Sequence, residues 1–167
     1  MSLPHYINTI FSSENFLLIT KTATIASMGI AAGTGLSYNA MIMPSLAKIA
    51  PMDAVAVWCG TAIGAMTTQV SAIAISVLGG SYVYYRTKNR FYLYGSMLML
   101  SILPYTAVMF LPINSRLFEM NRSGVDDGTV AIKMQQWNKN QYGRVFLNVA
   151  ALVVTLLGTL HVKGKTA

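Results

Sequence analysis

Charged residues are absent from four long stretches of the chain: between Lys21 and Lys48, Asp53 and Arg86, Arg90 and Arg116, and Arg144 and Lys163. A helix needs ~20 apolar residues to cross ~30 Å of hydrocarbon. A charge at the bilayer centre costs at least ~2.5 kcal/mol, so uncharged runs of this length point to a membrane. The pattern predicts four spanning helices, at about 17–43, 55–85, 91–111 and 143–162. One polar connection, about 113–136, is expected as a loop with a turn at Gly124-Val-Asp-Asp-Gly128, with helix four opening near Thr129 or later ahead of its crossing. Ser12 or Ser13 caps the first helix ahead of Glu14 and Asp53 caps the second. Pro44 ends the first helix and Pro104 bends the third. The expected fold is all-α, a single-domain integral membrane four-helix bundle with both termini on the same side.

Small residues add one detail. Gly29-x-x-x-Gly33 and Gly60-x-x-x-Gly64 let a neighbouring backbone come close. They are expected to pair helices one and two, or to receive a partner membrane protein there.

Composition narrows the class. The chain has 167 residues, 54% hydrophobic and 10% charged, which leaves little room for a separate soluble domain. Its formal charge of +7 sits in loops and at helix ends, where it meets lipid headgroups. No nucleic-acid partner is expected; the lipid bilayer is. The very short basic segment Arg86-Thr-Lys-Asn-Arg90 favours an orientation with both termini inside. Two address signals agree with it. Lys163 and Lys165 resemble a cytosolic dilysine retrieval signal, and Asn121-Arg-Ser123 fits the N-glycosylation acceptor pattern. They favour the endoplasmic reticulum, with the mitochondrial inner membrane as the alternative. The first residues make a poor cleavable signal, so the first helix is expected to act as an uncleaved anchor.

Several chemistries lack their residues. The lone Cys59 excludes an intrachain disulfide and is expected to be packing. His5 and His161 lie outside the spans or at their edge, so neither a histidine-rich di-iron site nor a bis-histidine haem is available. No acidic residue lies deep in a span, which argues against a proton-coupled pump. Any reaction must therefore run without a metal and without a deep carboxylate.

One polar stripe stands out. Trp137, Gln141, Arg144 and Asn148 follow at i, i+4, i+7 and i+11, on one helical face. A polar stripe entering lipid faces a bundle interior or a wet cavity. The other helix ends on that side bring Tyr38, Asn39, Trp58, Tyr105 and Asn114. Together they outline a pocket floored by aromatics and rimmed by amides and one guanidinium. Such a pocket suits a small, acidic or phenolic aromatic hydrophobe, with Arg144 holding the anion. A purely structural reading stays open. Trp and Tyr gather at membrane interfaces, Arg144 can snorkel, and Asn148 and Gln69 can serve as interhelical hydrogen bonds.

Short stretches recur in a familiar order: Gly35-Leu-Ser-Tyr-Asn39 leading to Met43-Pro-Ser-Leu46; Trp58 with Gly64; Leu103-Pro-Tyr-Thr106 through Met109 to Leu111-Pro-Ile-Asn114 with Leu117; and Trp137 to Arg144. This order resembles the anthrone oxygenase-like family, small four-helix membrane proteins long carried as a domain of unknown function. The resemblance implies a four-helix bundle. In the fungal biosynthetic members it implies cofactor-independent oxygenation of an anthrone to an anthraquinone. Asn114, Trp137 and Arg144 match family positions, whereas Gln141 stands where many members have histidine and others an amide. On this reading Arg144 holds a phenolate, Tyr38 or Tyr105 handles the proton, and Asn39, Trp58, Asn114, Trp137, Gln141 and Asn148 bind the substrate. Gln141 has no basic atom to replace an imidazole. The other reading is a non-enzymatic accessory or scaffold subunit of a larger membrane complex.

Overall fold

Nearly every described residue is helical. The computed structural model describes the backbone of residues 13–163 and the side chains of residues 14–160. The expected roles of Ser12, His5, His161 and the Lys163-Gly-Lys165 tail lie outside the described side chains. Helix α1 covers Ser13–Ser37 and continues through a π-helical turn, Tyr38–Ile42, into a last turn, Met43–Leu46. Helices α2 (Pro51–Thr87), α3 (Arg90–Met109), α4 (Leu111–Ser123) and α5 (Val130–Lys163) complete the chain. Four apolar segments are long enough to span a bilayer: Glu14–Leu46, Pro51–Thr87, Arg90–Met109 and Val130–Leu160. The protein is an all-α integral membrane bundle.

Pro44 does not end the first helix. The Met43 N–H bonds to the Tyr38 carbonyl, five residues back. That wider turn leaves Pro44 in the first turn of the Met43–Leu46 segment, where a missing N–H is harmless. A second difference is larger. The stretch read as a polar loop, 113–136, is mostly helix. Its charges hid a second period: Ile113, Asn114, Leu117 and Met120 are buried on one face of α4, while Glu119 and Arg122 are exposed on the other. Only Gly124–Thr129 separates α4 from α5. Arg116 ties it down, with Nη1 and Nη2 each 2.6 Å from Glu119 and Asp127 oxygens. The Thr129 hydroxyl and Arg116 hold the Asp127 carboxyl down to about 2.

The helices form a ring: α2 packs on α1 and α3, and α5 closes it between α3 and α1. At one end Phe16 meets Tyr82 edge-on at 5.4 Å, and Asn89 donates to the Gly158 carbonyl at 2.9 Å. So α1 begins and α5 finishes beside the basic α2–α3 turn, on one side of the bundle. Close approach there uses small residues. The Ser27 and Ser76 hydroxyls are 2.7 Å apart, Gly79 sits against Thr24, and Gly95 against Thr155. The anticipated glycine rows do not do this work. A Cβ on Gly29, Gly33, Gly60 or Gly64 would meet nothing within 4 Å, so both rows face outward. They happen to keep helical spacing, but α1 and α2 meet on other faces.

Length fixes where the bilayer ends. α3 has 20 residues, about one span. α2 has 37 residues, and at ~1.5 Å per residue it outruns the hydrocarbon by roughly 25 Å. The excess projects at the end away from the basic turn, where α4 and the first turns of α5 form a cap. The cap core holds Val55, Trp58, Phe110, Leu117, Val130 and Trp137. A second core inside the membrane holds Met28, Ile73, Met99, Ile102 and Ala151. A polar layer lies between the two.

Candidate functional site

The polar layer is built around the α5 stripe. Trp137, Gln141, Arg144 and Asn148 are 5%, 3%, 9% and 0% exposed, so the whole face points into the bundle. The π turn in α1 adds to it. Successive residues of a regular helix diverge by ~100°, yet Tyr38 and Asn39 are both buried here. π turns of this kind often sit at functional sites.

Aromatic rings roof the layer. Trp137 is 5.4 Å from Tyr38, 5.8 Å edge-on from Trp58 and 5.5 Å edge-on from Phe110, centroid to centroid. Its indole N–H donates to Asn114 Oδ1 at 3.0 Å. The floor is a hydrogen bond from Gln69 Nε2 to Asn148 Oδ1 at 3.2 Å. Arg144 lies between roof and floor, its guanidinium carbon 4.7 Å from the Phe110 ring centre. Among the described residues Arg144 makes no ion pair; those present belong to Arg116.

Polar capacity in this layer is left open. Tyr38 Oη, Asn39 Oδ1, Trp58 Nε1, Gln141 Oε1, Arg144 Nε and Asn148 Nδ2 are buried without a hydrogen-bond partner. An unpartnered buried polar atom costs about 1–3 kcal/mol, and native structures carry few of them. All six lie in or beside this one layer. A small chamber of about 20 Å³, with Thr34, Tyr38, Gln69, Gln141 and Arg144 in its wall, lies within this layer. Beside it a groove of about 260 Å³ runs along the α2–α3 seam and reaches Asn114 and Arg144. A third hollow of about 330 Å³ lies in the cap between Met43, Pro51 and Met134. Arg144 does not border it.

The pattern of the family described as anthrone oxygenase matches residues 16–154. The chain belongs to the anthrone oxygenase family. No curated protein and no solved structure matches it.

Within this family member the nine anticipated site residues divide by position. Tyr38, Asn114, Trp137, Gln141 and Arg144 line the chamber together. Trp58 belongs to the aromatic roof, Asn148 to the floor. Asn39 sits at the edge, donating to the Asn138 backbone carbonyl at 3.0 Å and to its side-chain oxygen at 2.7 Å. Tyr105 is apart from both chamber and groove. Its hydroxyl donates to the Asn140 carbonyl at 2.9 Å and presses on Gly143. Five lining residues went unassigned by sequence reasoning: Thr34, Ala62, Ala65, Met66 and, as a site residue, Gln69. One signal pointed to the last: Gln69 is the only side-chain amide between Asp53 and Arg86. Cys59 is buried and free, packed in the cap core.

Proposed function

We propose that this family member is a cofactor-independent oxygenase for a flat polycyclic phenol of anthrone type. The buried, unpaired guanidinium of Arg144 carries the reading. A cation in a low-dielectric layer with no carboxylate beside it favours an anionic ligand. An anthrone provides one. Its methylene is acidified by the ketone across the ring, and loss of a proton yields an aromatic oxyanion. Arg144 stabilises that charge as it develops. The electron-rich carbon then reduces O2 dissolved in the membrane and bonds to it. The resulting hydroperoxide loses water to give the ketone. Both methylene hydrogens leave, one oxygen atom enters the product and the other departs as water.

Tyr38 is the proton-handling group in this scheme, because its hydroxyl borders the chamber with no partner. Tyr105 is committed to a backbone carbonyl and gives that role up. Asn114 and Gln141 orient the substrate oxygen at the Arg144 end. The test is oxygen uptake with anthrone by the protein in nanodiscs, at one O2 consumed per quinone formed. Arg144→Gln is expected to lower kcat/KM by about 10²–10³-fold, as loss of an oxyanion-hole donor does. Wild-type kinetics in that variant would sink the reading.

The outward glycine rows favour a second reading, an accessory subunit that receives a partner helix on α1 or α2. Native mass spectrometry of protein extracted gently from its own membrane separates the two. A stable hetero-complex without oxygen uptake supports the subunit. For location, the Asn121-Arg-Ser123 acceptor pattern favours the endoplasmic reticulum, and Asn121 is exposed on α4 at the end away from the basic turn. A glycosidase-sensitive mobility shift, lost in Asn121→Gln, is the expected result there.

A further inference from the structure

Two voids meet at Arg144. The inner chamber, about 20 Å³, has room for a water or two and for no organic molecule. The outer groove, about 260 Å³, has walls from Val70 and Ile73 of α2 and from Leu103, Thr106 and Ala107 of α3. By helix length these walls lie inside the hydrocarbon, and Val70, Leu103 and Ala107 are exposed on its lipid side. Met66, Gln69, Asn114 and Arg144 border both voids. Three of those four are held: Gln69 by Asn148, Asn114 by Trp137, Arg144 over the Phe110 ring. Met66 is the fourth, a half-buried, unbranched thioether able to change rotamer cheaply.

We infer that the α2–α3 groove takes the rings of a flat, lipophilic, ionisable phenol directly from the acyl-chain layer, with Met66 as its gate and Ala107 as its size filter. The inference rests on the anion-holding role of Arg144 and adds the route and the size class. Charge complementarity identifies the occupant. Arg144 is nine-tenths buried, its Nε has no partner, and it is the one charged group in a groove whose other polar side chains are Gln69, Thr106 and Asn114. A lipid tail fills such walls but brings no anion. A small soluble anion meets the aromatic roof, where Trp58 and Phe110 pack on Trp137 at 5.8 and 5.5 Å. A molecule with a flat apolar body and one acidic oxygen satisfies both ends. The groove falls just under the ~300–1,000 Å³ of common small-molecule sites, which suits two or three fused rings.

The two tryptophans of the chain, Trp58 and Trp137, both pack at the chamber. Quenching of their fluorescence therefore reads occupancy without turnover. The probe is 1,8-dihydroxyanthraquinone dissolved in phosphatidylcholine nanodiscs holding the full chain. Ala107→Phe is expected to weaken its binding at least ten-fold, and the milder Ala107→Leu to an intermediate degree. Met66→Ile, stiffened by branching, slows the onset of quenching. Ile30→Phe, exposed on α1 diagonally across the bundle, leaves both extent and onset unchanged. Unquenched wild type, or full quenching in Ala107→Phe, overturns the inference. The expected quenching pattern without oxygen uptake from anthrone upholds the groove and removes the oxygenase reading. Oxygen uptake that ignores Ala107→Phe does the reverse.

Discussion

The Gln69 side-chain nitrogen lies 3.2 Å from the Asn148 carbonyl oxygen, a bond that crosses the bundle from α2 to its diagonal neighbour α5. Both residues are almost completely buried. The bond separates the polar chamber from the apolar core below it. It also fixes the rotation of α5, and with it the aim of Arg144 one turn away.

Cutting that bond on one side leaves a buried amide without its partner. Gln69→Leu and Asn148→Leu are each expected to destabilise the protein by about 1–2 kcal/mol. The double variant should cost less than their sum, with a coupling of roughly 0.6–1.7 kcal/mol, the range of interhelical hydrogen bonds in membranes. Reversible unfolding in mixed micelles measures all four corners of the cycle. Strict additivity would mean that the two amides do not hold one another.

Glycine positions make a sharper contrast. A Cβ at Gly143 collides with the Tyr105 hydroxyl, and one at Gly95 with the Thr155 hydroxyl. Gly143→Ala is expected to cost about 1–3 kcal/mol, as overpacking does. Tyr105→Phe in the same chain should return part of that loss by removing the colliding oxygen. Gly29→Ala, Gly33→Ala, Gly60→Ala and Gly64→Ala meet open space, and each should leave stability unchanged or slightly raised. Thermal unfolding of the purified single chain checks the set. A large loss at Gly29 or Gly60 would reveal a second helix seated on that face.

The same contrast explains what the sequence could tell. Four spans were legible because each is an uncharged run, and charge exclusion is a local property. The stripe from Trp137 to Asn148 was legible for a related reason: its spacing alone puts it on one face. Glycine rows are different, since a spacing of four names a face without saying what lies opposite. In α4 the charges of Arg116, Glu119 and Arg122 outweighed the buried row of Ile113, Leu117 and Met120, and a helix read as a loop. Tyr105 was named for its hydroxyl, but which carbonyl that hydroxyl meets depends on the packing of α3 on α5. Met66 carried no signal, because a methionine between two voids looks like any other in an apolar helix.

Gln141 yields the last prediction. Its side chain is 3% exposed, lines the chamber beside Arg144, and has a carbonyl oxygen with no partner. An amide orients a substrate oxygen but accepts no proton at neutral pH. Tyr38 is then left as the proton-handling group, and a neutral phenol is a weak base. Gln141→His places an imidazole where it can act as general base. A positioned base is worth ~10²–10⁴-fold in rate, so kcat for anthrone is expected to rise by about 10²-fold. The gain should appear as pH rises through the imidazole range near ~6.5, because only the neutral ring accepts the proton. KM should change little, since Arg144 and the groove are untouched. Oxygen uptake between pH 5 and pH 8, set against wild type and Tyr38→Phe, decides the matter. A flat profile with no gain, in a variant that still binds the dihydroxyanthraquinone, would show that proton removal does not limit the proposed reaction.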